Sequence, residues 1–101
     1  MKTIETPRSY GEVVAVTVDM QNDFLLPTGD LSVHDAEQAI PAVNAVNEFV
    51  RANHGQVVFT QDWHRADNEK HFAKWPVHCV QERAGAALHD EVVVEMTDTI
   101  A

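Results

Sequence analysis

The chain has 101 residues and a formal charge of −9, from 16 acidic and 7 basic side chains, with 45% apolar and 23% charged residues. That length holds one hydrophobic core and no second, the composition is that of a globular chain, and the few Lys and Arg form no stripe to follow a phosphate backbone, so nucleic acid is not an expected partner. No stretch approaches ~18 consecutive apolar residues and the start, Met1-Lys2-Thr3-Ile4-Glu5-Thr6-Pro7, has no signal-like apolar run, so no membrane partner is expected and the cytosol is the expected location.

Val13 to Val18 is a β-branched, nearly continuous apolar run, the pattern of a strand buried on both faces of a parallel sheet, and it ends at Asp19. The segment from Gln21 to Asp35 is polar and turn-rich, with Pro27, Gly29 and Asp30, and reads as a loop. Pro41 opens the clearest helix, extending to about Asn53, with Val43, Val46, Phe49 and Val50 as its apolar stripe and His54-Gly55 as a glycine-type end. Val57-Val58-Phe59-Thr60 is a second short strand, so the order strand, helix, strand predicts a βαβ unit. Residues 63 to 90 are polar, His-rich and aromatic, with room for a short helical turn, and Val92-Val93-Val94 reads as a third buried strand. The expected class is therefore α/β, one doubly wound and mostly parallel sheet with helices on both faces.

A right-handed βαβ crossover brings the carboxyl ends of both strands to one edge of the sheet, and Asp19 and Asp62 share that edge. With neighbouring strands about 4.7–4.9 Å apart, the two carboxylates are expected roughly 5–10 Å from each other, in the crevice where open α/β sheets bind ligands. Asp62-Trp63-His64 sets a carboxylate and an imidazole two residues apart on extended chain, aimed to the same side. His71 and His78 follow, giving up to four N/O donors, a set suited to Zn, Fe or Mn and too rich in imidazole for Ca or Mg. The bland alternatives are that these are surface loop histidines, of which the chain has six in all, and that Asp19 caps a turn. Cys79 beside His78 invites reading as a thiolate with its base, but a lone Cys is commonly a small buried hydrophobe, and it forms no internal disulfide, as expected in a reducing compartment. Phe24, Phe72 and Trp75 read as core residues or as walls of a pocket for a flat ligand.

Three motifs taken together resemble the isochorismatase-like cysteine hydrolases, and within them the nicotinamidases: Val18-Asp19-Met20-Gln21-Asn22-Asp23-Phe24 after the first strand, Thr60-Gln61-Asp62-Trp63-His64 after the second, and Trp75-Pro76-Val77-His78-Cys79-Val80 with Gly85-Ala86 behind. They run in the family's order with similar spacing across residues 13 to 88. The resemblance implies hydrolysis of nicotinamide to nicotinic acid and ammonia by a Cys–Asp–Lys triad and one divalent transition ion. It implies Asp19 as the triad aspartate, Asp62, His64 and His78 as metal ligands, His71 as a fourth ligand in some members, and Phe24 and Trp75 as residues contacting the pyridine ring. It further implies that Cys79 is not the nucleophile. The triad lysine would fall within a few residues of Ala101 and the cysteine later, whereas Lys2, Lys70 and Lys74 match no such position, so the chain reads as the amino-terminal half of the hydrolase domain.

Three hypotheses follow: a half-domain inactive by itself, completed by the missing carboxyl-terminal half or by self-association; a metal-binding module without chemistry; and a relative acting on another substrate, such as a carbamoyl or ureido group. The metal-ligand set argues against the isochorismate-cleaving branch, whose members generally lack it.

Overall fold

The structure, a computed structural model, describes residues 13–101; the reading of the amino-terminal segment as free of a signal-like run lies outside the described residues. Three strands, β1 (Val14–Thr17), β2 (Gln56–Phe59) and β3 (Thr99–Ile100), form one parallel sheet in the order β1-β2-β3. β1 pairs with β2 from Val14↔Gln56 to Thr17↔Phe59, and the helix α2 (Ile40–Ala52) makes the crossover between them. Among the described residues no helix is long and apolar enough to cross a membrane.

α2 begins with Pro41 in its first turn, where the missing N–H is no loss. It buries Ile40, Asn47 and Val50, with Val43 partly covered, against Val57 and Phe59 of β2 and the β1 side chains on the same face. The expected stripe was thus rotated: Val46 and Phe49 are exposed, and the polar Asn47 takes a core position because its amide meets the buried Thr17 hydroxyl, Nδ2 donating at 2.9 Å. The helix ends in a Schellman motif, with Gly55 N–H donating to the Val50 carbonyl at 2.8 Å and His54 N–H to the Arg51 carbonyl at 3.0 Å. The left-handed residue of that motif is His54, at φ 67°, and not the glycine expected there.

Three other expectations need correction. The segment from Gln21 to Asp35, read as loop, contains the short helix α1 (Asn22–Leu25) and a 3₁₀ turn at Ala36–Ala39 just beyond. β1 is not buried on both faces: Thr17 is covered, but Val14, Val16 and Val18 on the alternate face are 55–62% exposed. Val92-Val93-Val94 is not a strand. Val92 is buried in the core, but Val93 gives its N–H to the Asn44 side chain and its carbonyl to Arg51, so side chains of α2 take the bonds a ladder would need. The third strand is Thr99–Ile100, paired with Val58 and Phe59.

Arg51 and Asp98 hold that rearranged segment. Arg51 lies in the last turn of α2 and donates to both Asp98 oxygens, Nε at 2.9 Å and Nη2 at 2.6 Å, with the Asp98 side chain 1% exposed and Arg51 15%. The Arg51 hydrogen bonds, ahead of a backbone bond from Glu95, hold the Asp98 carboxyl below its ordinary range against the opposing effect of burial. A depressed carboxyl contributes stability that is complete above its unfolded pKa of about 3.9 and is lost as pH falls through the lower native value. Asp98→Asn should therefore cost about 2 kcal/mol at pH 7, and the difference from the parent chain should shrink toward pH 3. Urea unfolding at both pH values measures it; an equal loss at the two would show that the ion pair does not hold this segment.

Candidate metal centre

The extension of β2 past Phe59 carries the first two site residues. Thr60 still pairs with β1, its N–H donating to the Thr17 carbonyl at 2.9 Å, and the Asp19 N–H donates to its carbonyl at 3.2 Å. Asp19 itself is in the left-handed region at φ 53°, a turn that swings its carboxylate back so that Oδ1 accepts from the Thr60 hydroxyl at 2.8 Å. Four residues beyond Thr60, His64 forms a parallel bridge with Val80: its N–H donates to the Cys79 carbonyl at 2.9 Å and its carbonyl accepts from Gln81 at 2.8 Å. That bridge lays the His78 loop alongside the strand extension, which is why residues far apart in sequence meet.

His71 arrives from the short helix α3 (Glu69–Phe72), whose cap residue Asn68 accepts the His71 N–H with its side-chain oxygen at 3.2 Å. One nitrogen from each of His64, His71 and His78 lies within 4.8 Å of the others. The His64 and His71 rings stack at 4.1 Å, and Phe72 sets its edge against all three imidazoles at centroid distances of 5.4–6.0 Å. Asp62 Oδ2 lies 3.5 Å from His64 Nε2 and 3.6 Å from His78 Nε2. The sequence expectation that Asp62 and His64 point the same way holds, and both further histidines join them.

The donors fit a transition ion. His64 Nε2 and His71 Nε2 are shielded from solvent without a hydrogen-bond partner, an arrangement that costs free energy unless something else satisfies them. His78 Nδ1 sits 2.6 Å from the Pro76 carbonyl, which only accepts, so Nδ1 carries a proton and Nε2 is the nitrogen turned inward to ligate. That Nε2 faces the Asp62 carboxylate oxygen at 3.6 Å, a pair of donors a cation could bridge. Ligands about 2.1 Å from a tetrahedral ion stand about 3.4 Å apart, near the spacing of Asp62 from the two imidazoles. Desolvation first, then the neighbouring His64 and His78, lowers the His71 pKa and favours the neutral, ligating form.

Cys79 is fully buried at φ 47°, its N–H donating to Asp23 Oδ2 at 2.7 Å. Burial first, then the Asp23 charge, pushes its thiol up to about 12, so it is a protonated, packed side chain and no ready nucleophile. Phe24 leans on His78 at 5.6 Å and shares with Asp19 a mostly apolar concavity of about 420 Å³ that also includes Met20 and Val33. Trp75 stands apart from Phe24, 52% exposed, lining a second concavity with His71 and Lys74. A groove of about 510 Å³ between β1 and α2 is lined by no titratable side chain and is not the site.

Sequence reasoning assigned no work to two residues of the first motif. Gln21 is fully buried and bonded to Asp62 and Ala86, and Asp23 is buried with its oxygens on the N–H groups of Cys79 and Asp30. Gly85 packs directly on the Asp23 carboxylate, where an added Cβ would overlap it. The signal was a run of uncharged amides and a carboxylate in a segment otherwise read as loop.

The chain is similar to several proteins of known activity or structure. The nicotinamidase of Saccharomyces cerevisiae is 27% identical over 105 residues, spanning 77% of this chain and 49% of that protein. Among solved structures, the pyrazinamidase of Pyrococcus horikoshii in complex with zinc is 33% identical with a TM-score of 0.78, covering 86% of this chain and 49% of that one. PnC1 from L. infantum in complex with nicotinate is 36% identical with a TM-score of 0.79, covering 91% of this chain and 47% of that one. The chain thus spans about half the length of the relatives it matches. The model of the Isochorismatase domain matches residues 13–101, and with the parallel sheet and the site at its carboxyl edge this shows that the chain belongs to the isochorismatase domain family.

Proposed function

We propose that the chain carries the metal centre and the acid–base aspartate of an amidohydrolase that converts nicotinamide to nicotinic acid and ammonia. The observation that supports this most is the convergence of three imidazoles within 4.8 Å, two of them with shielded, unpartnered nitrogens, on one carboxylate. Asp62, His64, His71 and His78 would hold a single divalent ion, Zn, Fe or Mn. When bound, such an ion supplies a Lewis-acid anchor for a ring nitrogen.

The chain's own residues supply the surroundings. Phe24 presents an apolar face beside His78, suited to a flat ring. Asp19, fixed by the Thr60 hydroxyl, is the group to accept a thiol proton. The thiol is not Cys79, whose buried, high-pKa sulfur is unsuited to attack, so the nucleophile and its lysine belong to the part of the relatives' length that this chain does not span. The 101-residue chain by itself is then a metal-binding half-domain that does not turn over. The zinc and nicotinate complexes of similar proteins support both the ion and the small-molecule partner.

Isothermal titration of the chain with zinc should give one site, and His71→Ala or His78→Ala should weaken it by at least 10-fold. Binding unchanged in both variants would remove the metal centre from the proposal. The zinc-loaded chain should release no ammonia from nicotinamide above a buffer blank; turnover that disappears in Cys79→Ala would overturn the assignment of Cys79. In the folded chain at pH 8, iodoacetamide should leave Cys79 unmodified and should label it promptly in 6 M guanidinium; labelling at equal rates would show an accessible, ionising thiol.

A further inference from the structure

Gln21 stands between the strand that delivers Asp19 and the loop that delivers Asp62, with its side chain wholly buried. Its Nε2 donates to the carbonyls of Asp62 at 2.7 Å and Ala86 at 2.8 Å, and its Oε1 accepts the Asp62 N–H at 2.9 Å. Carbonyls only accept and the N–H only donates, so these partners fix which way the amide faces and use both of its donors. One side chain therefore grips both main-chain polar groups of a single residue, and that residue is the carboxylate of the histidine cluster.

The grip falls where the sheet no longer provides one. The last bonds between β1 and the β2 extension are those of Thr17 and Asp19 to Thr60, two residues before Asp62. The Asp62 side chain is 37% exposed, so burial does not dictate its direction, and water competes for the carboxylate. What sets its aim is the angle of its main chain, and that angle is held by Gln21.

We infer that Gln21 is a positioning residue of the metal centre: it touches no ion, but by clamping the main chain of Asp62 it keeps the carboxylate turned toward His64 and His78. This rests on the metal-binding reading above. Gln21→Met puts an apolar side chain of similar length in its place and removes all three bonds. Gln21→Glu keeps the shape and the acceptor for the Asp62 N–H but opposes an oxygen to two carbonyls.

The test is a cycle in the full 101-residue chain: parent, Gln21→Met, Asp62→Ala and the double variant. Each is assayed for zinc affinity by chelator competition and for its cobalt(II) absorption spectrum. Gln21→Met should weaken zinc about 10–100-fold and shift the cobalt spectrum toward that of Asp62→Ala. In the Asp62→Ala background the same substitution should change affinity by no more than about twofold. Equal losses in both backgrounds would overturn the inference and leave Gln21 a general structural residue, as would an unchanged affinity in Gln21→Met. If Asp62→Ala binds zinc as tightly as the parent, the metal reading itself fails and this inference with it. Should Gln21→Met not fold, as judged by circular dichroism, Gln21→Glu takes its place under the same two criteria.

Discussion

The parallel pairing of β1 with β2 is the constraint on which the site depends. Its register sets Thr17 beside Phe59, and two strands running the same way must finish at the same edge. A parallel pair needs a long crossover, and α2 supplies it by laying Ile40, Val43 and Val50 over Val57 and Phe59. Reversing either strand would send Asp19 and Asp62 to opposite ends of the sheet. Because the β1–β2 ladder ends at Thr60, the chain beyond is held by one isolated main-chain bridge, His64 to Val80, and by side chains, and the site is built in that zone.

There the assembly is stepwise. The His64–Val80 bridge aligns two loops, the Asn68 cap orients a short helix, and Phe72 closes the apolar side of the imidazoles. The result brings three imidazoles and a carboxylate together, with two imidazole nitrogens shielded and unpartnered. Such a cluster carries a cost as it stands that a bound cation would relieve, and this is what supports the proposed metal centre. Asp23 and Gly85 serve the neighbouring loop: the carboxylate anchors the Cys79 N–H, and the absence of a side chain on Gly85 lets it approach.

The described residues leave one face of β1 open, with Val14, Val16 and Val18 exposed beside the groove under α2. Exposed β-branched edges invite association, a tendency that a net charge of −9 opposes. In relatives about twice as long, the family fold has further chain with which to cover such a surface.

Much of the fold is legible in the sequence. The β-branched runs marked the first two strands, although the nearly continuous apolar run of β1 overstated its burial, and the helix between them forced the parallel arrangement. Asp62-Trp63-His64, His71 and His78 were legible because metal chemistry demands particular donor atoms, and the three imidazoles and the Asp62 carboxylate do converge. What local pattern could not decide was competition for hydrogen bonds. Val92-Val93-Val94 has the composition of a strand, yet Asn44 and Arg51 took its backbone groups and the strand fell at Thr99–Ile100. The face of α2 turned toward the sheet because Asn47 found Thr17, a partner 30 residues away. Gln21 acquired its partners only when β1 and β2 lay side by side. Residue types and their spacing determined which atoms were available for chemistry; which of them face one another was decided by long-range pairing, since a buried polar group is bound to whatever partner the folded chain brings within reach.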